Sequence, residues 1–264
     1  MADDVVLRLL TFNALFKGDV RPRLRAIGGV LERSAYDVVC LQEVMARGHA
    51  RLLGRLAEAY PHRLYTGAAL LKGGLVMLSR WPVIRQRFVR YPFTRPVRPE
   101  FLMRKGAQVA LLDTPGGRLA MVNTHLSANR DDDWSDDNRY SRVARAELGR
   151  LGAELARLDP ALPVVVTGDL NLPRESPALA RFCATTGLRD AMAGDTRPTY
   201  RPTPSWPAPP AFDHVLVRPG AGGGLSTECR LVLQDDTVTL NGGRTVYLSD
   251  HYGVEADLRL TGNG

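Results

Sequence analysis

The chain has 264 residues, with 35 Lys and Arg against 28 Asp and Glu, for a formal charge of +7. Hydrophobic residues make up 44% and charged residues 24%, which excludes a disordered or collagen-like chain. Three cysteines (Cys40, Cys183 and Cys229), without a CxxC pair, exclude a disulfide framework or a thiolate zinc cluster and point to reduced thiols.

From the N-terminus, an acidic pair (Asp3, Asp4) stands where a secretory signal needs positive charge, and Arg8 interrupts the first apolar run. Nothing reaches the roughly 18 apolar residues of a membrane span, so a soluble cytoplasmic protein is expected. Val5 to Phe12 reads as a strand. Arg23 to Arg33 reads as a helix with Leu24, Ile27 and Leu31 on one face, Asp37 to Leu41 as a buried strand, and His49 to Tyr60 as a second helix. Strands follow at Gly74 to Leu78, Val83 to Val89, Ala107 to Asp113 and Arg118 to Asn123. The longest helix is expected over Asp136 to Leu158, with Leu148, Leu151 and Leu155 in the core. Pro163 to Thr167 is a strand, and Ser176 with Pro177 opens a helix that stops near Gly187. Arg197 to Pro210 holds six prolines in fourteen residues and reads as an extended surface loop. Gly220 to Gly224 reads as a loop tip, and strands at Asp213 to Arg218, Arg230 to Leu233 and Val254 to Leu260 complete the chain. No boundary between domains is visible, so residues 1–264 are read as one domain.

Strand, helix, strand occurs twice, over residues 5–43 and 118–171. Each of these four strands runs into polar residues: TFNAL, LQEV, NTHL and GDLN. Such endings gather chemistry at one rim, where loops can assemble it. The polar candidates are Asn13, Glu43, His125, Asp169, Asn171, Asp213, His214, Asp250 and His251. No GxSxG elbow, P-loop or HExxH is present, which disfavours a serine hydrolase, a nucleotide loop and a zincin. The remaining set is rich in oxygen donors and suits a hard cation such as Mg²⁺. His214 reads as a satisfied strand residue, and His49 and His62 as structural or solvated. Trp134 has two readings, a contact at the start of the long helix or an aromatic facing substrate.

Six segments carry a resemblance: TFNAL (11–15), DVVCLQEV (37–44), NTHLSAN (123–129), VVVTGDLNLPRES (164–176), FDHVLV (212–217) and LSDHYGV (248–254). In order and spacing the chain resembles the endonuclease/exonuclease/phosphatase superfamily. The resemblance implies a four-layer α/β sandwich, with two mixed, mostly antiparallel sheets face to face and helices outside. It also implies metal-dependent phosphoester hydrolysis. By motif, Glu43 corresponds to the main Mg²⁺ ligand, with Asn13 and Asp250 close to the ion and Mn²⁺ as a substitute. His251 corresponds to the base that activates water, and Asp213 to the carboxylate orienting its ring. Asn171 and His125 correspond to groups holding the phosphate oxygens, and Asp169 to a partner of the nucleophile or leaving group. An imidazole near its ordinary pKa of about 6.5 can take a proton at neutral pH, and a carboxylate fixes its tautomer.

Within the superfamily, the run GGLVMLSRWPV (73–83), RYPF (90–93) and RKGAQVALL (104–112) are similar to the neutral sphingomyelinase-like branch. Lys105 with Gly106 stands where that branch has a Lys-Gly pair, and Lys105 and Arg104 are expected to contribute most of the attraction of substrate phosphate. The likeness favours a lipid headgroup or other small phosphodiester, with peripheral membrane contact but no obligate protein partner. A DNA nuclease and a phosphomonoesterase are the alternatives. Five acids among residues 131–137 argue against a long polyanion.

Overall fold

The computed structural model describes residues 5–94, 103–221 and 223–261; Gly222, in the expected loop tip, lies outside them. Strand β1 (Val5–Asn13) is nearly all apolar beyond Arg8 because both of its faces are covered. Leu7 and Leu9 face the second sheet, while Leu10 and Phe12 pack under helices α1 (Val20–Arg33) and α2 (Arg47–Leu56). The chain returns through α1 to β2 (Val38–Gln42), which pairs with β1 in parallel. With β3 (His62–Leu64), β4 (Val76–Ser79), β11 (Gly224–Val232) and β14 (Gly253–Thr261), the first sheet runs β11-β14-β1-β2-β4-β3.

The second sheet repeats the device. Strand β7 (Gly117–His125) crosses through α3 (Arg139–Leu155) to the parallel strand β8 (Val164–Asp169). Strands β5 (Val83–Arg90), β6 (Gly106–Thr114), β9 (Arg189–Asp190) and β10 (Asp213–Arg218) complete the order β5-β6-β7-β8-β10-β9. Helices α3 and α4 (Pro177–Thr186) cover its outer face through Leu148, Leu151, Leu155 and Phe182. Between the sheets, Leu9, Val38 and Met77 meet Leu112, Met121, Val165 and Val215. Each such buried side chain contributes about 1.5–3 kcal/mol. The expected four layers, with each sheet mixed but mainly antiparallel, are present.

Several boundaries differ from expectation for local reasons. Helix α3 starts at Arg139 because Asn138 Oδ1 caps it, accepting from Tyr140 N at 2.7 Å and Ser141 N at 3.4 Å. Helix α2 ends at Leu56, four residues before Tyr60. Helix α4 is framed as its sequence suggests, with the Ser176 cap, Pro177 in the first turn and Gly187 at φ 69°. The short strands β3 and β9 and a polar hairpin, β12 (Thr237–Thr239) with β13 (Thr245–Tyr247), carry too little pattern to be read in advance. No helix among the described residues is long and apolar enough to cross a membrane.

Candidate active site

The two parallel pairs send the C-terminal ends of β1, β2, β7 and β8 to one rim. Asn13, His125 and Asp169 are the last residues of β1, β7 and β8, and Glu43 immediately follows β2. Register aligns His125 with Asp169 on β8, and Asp213 with Asp169 from the other side. Gly168 permits this alignment: at φ 138° a Cβ would overlap the carbonyl oxygen of Thr124 on β7. Past the strand ends the backbone turns sharply. Leu15, Glu43 and Asn171 take left-handed φ values of 53°, 63° and 49°. Such conformations cost roughly 1–3 kcal/mol each and are held where surrounding structure over-determines them. At Glu43, the carboxylate Oε2 accepts from Phe16 N at 2.9 Å, tying the β1 and β2 loops together.

The side chains form one network. His251 Nδ1 lies 2.8 Å from Asp213 Oδ2, and His251 Nε2 lies 3.7 Å from Asp169 Oδ2. Asp169 Oδ2 also accepts from Asn13 Nδ2 at 3.0 Å and stands 3.3 Å from His125 Nε2. Its Oδ1 accepts from Asn171 N at 2.9 Å. Burial opposes a charge on Asp169, yet His125, His251 and Lys105 hold its carboxyl well below the usual carboxylate range. Burial likewise opposes a charge on His251, but Asp213 and then Asp169 outweigh it and push the ring up to about 10. The expectation of an imidazole near 6.5 is therefore corrected: two buried carboxylates keep His251 protonated at neutral pH.

Glu43, Lys105, His125, Asp169, Asn171, Asp250 and His251 line a cavity of about 600 Å³. Asp213 is fully buried and contacts the His251 ring, while Asn13, also buried, donates to Asp169 and accepts from Leu15 N at 3.1 Å. Lys105 Nζ and Asn171 Nδ2 both donate to Leu126 O at 3.0 Å, which holds them side by side. Arg104 is exposed and is not part of the cavity lining, unlike its neighbour Lys105.

The proline-rich segment is more than a surface loop. Thr199 is fully buried, and its Oγ1 accepts from Phe212 N and Asp213 N at 2.9 and 3.0 Å. Tyr200 donates to Asp250 Oδ2 at 3.3 Å and sets its ring edge-on to His251, with centroids 5.0 Å apart. Burial and Asp250 push the Tyr200 hydroxyl up to about 12, so it stays a donor. Trp206 packs on Tyr200 and Phe212. Sequence reasoning missed Thr199 and Tyr200, and the only available cue was a Thr-Tyr pair flanked by prolines. Trp134 is not in the cavity lining; it packs against the core cluster that includes Ala144 and Leu148 of α3, and its Nε1 donates to Asn171 O at 3.1 Å. His214 is structural, as expected, between Leu172 O and Asp190. The acids of residues 131–137 are partly neutralised, Asp131 by Arg139 and Asp136 by Arg145 and Arg181, so the expected repulsion of polyanions is weakened.

Among the described residues no group of three His, Cys, Asp or Glu side chains is placed to hold a metal unaided. Glu43 and Asp250 bring carboxylate oxygens to the same cavity; Glu43 Oε2 accepts from Phe16 N, and Asp250 Oδ1 and Oδ2 accept from Ser249 Oγ and the Tyr200 hydroxyl at 3.3 Å, which leaves each oxygen a further lone pair. Magnesium keeps several waters and is typically held through one or two carboxylates plus substrate phosphate, so this donor set fits it.

A family model described as "Endonuclease/Exonuclease/phosphatase family" matches residues 10–251. A protein of Drosophila melanogaster named "Putative neutral sphingomyelinase" is 28% identical over 274 aligned positions, covering 96% of this chain and 61% of its own length. The chain thus spans about three fifths of that relative. In fold it is similar to sphingomyelinase C from Streptomyces griseocarneus, with TM-score 0.70, 22% identity and coverage of 96% and 99%. It is also similar to D. rerio TDP2 complexed with a single-strand DNA product, with TM-score 0.75, 18% identity and coverage of 97% and 99%. The match over residues 10–251 takes in every strand-end residue of the network, and the chain belongs to the endonuclease/exonuclease/phosphatase family.

Proposed function

We propose that the chain is a metal-dependent phosphodiesterase, a single catalytic unit that hydrolyses a lipid headgroup ester or another small phosphodiester. The observation that carries this reading is His251, paired through Nδ1 with Asp213 at 2.8 Å while its ring borders the cavity that Glu43 and Asp250 share. Asp213 holds Nδ1 and leaves Nε2 as the atom that exchanges a proton with water or the leaving group. Asn171 has a second amide hydrogen beyond the one given to Leu126 O, available for a phosphate oxygen. Lys105 and His125 add positive and polar donors around the same volume, where charge spreads over the nonbridging oxygens in the transition state. Glu43 and Asp250 would hold the Mg²⁺, whose positive charge would polarise the phosphoryl group and lower the proton affinity of His251. Asn13 braces Asp169 through Nδ2, while its Oδ1, which accepts from Leu15 N, keeps a second lone pair for the ion.

Bis-p-nitrophenyl phosphate tests the reading. Turnover is expected with Mg²⁺ or Mn²⁺ and is lost in EDTA, because oxygen donors favour hard ions. Full turnover in chelator would overturn it. DNA remains the second reading because arginines pair the acids near the rim. It requires duplex affinity that falls steeply with salt, by roughly 0.9 log unit per phosphate neutralised for each log unit of salt.

A further inference from the structure

The catalytic cavity has two unlike sides. The carboxylates and imidazoles form one, and the loops after β1 and β7 add Lys17 and Arg130 to the lining. Both cations are exposed, and among the described residues no carboxylate pairs with either. Neighbouring arginines are different: Arg139 pairs with Asp131, and Arg145 and Arg181 pair with Asp136. Among the described residues, the aromatic lining is Phe16 and Tyr200. Phe16 is 37% exposed, but Lys17 Nζ stands 5.3 Å from its ring centroid, so its face already meets a cation. Tyr200 is committed edge-on to His251 at an interplanar angle of 89°. A quaternary ammonium is recognised by open aromatic faces, and here it would meet the Lys17 ammonium instead.

We propose that Lys17 and Arg130 form a second-anion subsite at the mouth of the cavity. The preferred substrate is a small phosphodiester whose headgroup carries a further phosphate or carboxylate, and a trimethylammonium headgroup is disfavoured. This rests on the phosphodiesterase reading and names its substrate class. A small headgroup is favoured over a nucleic-acid strand because two cations satisfy one extra anion, whereas a strand calls for a track of several phosphate contacts.

Calorimetric titration of the whole chain with excess Mg²⁺ tests this by comparing myo-inositol 1,4-bisphosphate with phosphocholine. The bisphosphate is expected to bind about tenfold more tightly, the worth of one or two partly exposed ion pairs. The Lys17→Ala, Arg130→Ala double variant should bring the two affinities together, and Lys17→Glu with Arg130→Glu should reverse their order. Equal binding by the unmodified chain, or a preference untouched by the double variant, would overturn the subsite. So would tighter binding of a single-stranded oligonucleotide that the double variant abolishes. Turnover of phosphatidylinositol 4-phosphate in micelles against glycerophosphoinositol 4-phosphate in solution identifies whether the anionic headgroup arrives on a lipid or free. An intact binding preference without any hydrolysis of bis-p-nitrophenyl phosphate would sink the phosphodiesterase reading and leave the subsite standing.

Discussion

At His251 the two ring nitrogens meet different neighbours, and the difference sets what the ring does at a given pH. Nδ1 is held by buried Asp213, and Nε2 looks toward Asp169 at 3.7 Å. Because its folded value of about 10 lies above the ordinary 6.5, protonated His251 stabilises the fold below pH 6.5. That contribution fades as pH rises toward 10. In EDTA, the thermal midpoint should therefore fall across this window for the unmodified chain and much less for Asp213→Asn, which removes the carboxylate charge beside Nδ1. Parallel curves for the two chains would mean that Asp213 does not hold the proton on the ring. The strand-end positions of Asn13, Glu43, His125 and Asp169 were legible in the sequence because each closes an apolar run beside a recognisable motif. The pKa of His251 was not, since it depends on two carboxylates distant in the chain, 38 and 82 residues away.

Strand β8 shows how an element places chemistry. Its apolar residues Val164, Val165 and Val166 bury on both faces, and Gly168 then lets β7 approach closely before Asp169 emerges beside His125. Gly168→Ala should destabilise the protein by about 3 kcal/mol or more, because the φ is strained for alanine and the Cβ meets rigid backbone. An unchanged denaturation midpoint would show that the β7–β8 contact can relax. The strands around the rim were visible as apolar runs ending in polar residues, and the helices through their caps and spacing. The strap from Arg197 to Pro210 was visible only as a loop. Its fit against Asp213 and Asp250 is made by Thr199 and Tyr200 through hydrogen bonds distant in sequence, which no local period encodes.

Over the whole molecule, two strand-helix-strand units set the C-terminal ends of parallel pairs at one rim, and sheet-on-sheet packing brings those rims together. Gln42 Nε2 donates to Asn123 Oδ1 at 2.8 Å across the two sheets, immediately below the site. The doubled unit was legible in the sequence. The face-to-face stacking was carried only by the resemblance, because strands covered on both sides read as continuous apolar runs that do not say which face meets which layer. The central claim is that this convergence makes His251 the group that moves the proton in phosphodiester hydrolysis. The most direct measurement is steady-state turnover of bis-p-nitrophenyl phosphate at saturating Mg²⁺ by His251→Ala beside the unmodified chain. The account predicts a loss of roughly 10²- to 10⁴-fold in kcat with the fold intact. A variant that keeps more than about half of the turnover would contradict it and leave His251 a structural partner of Asp213.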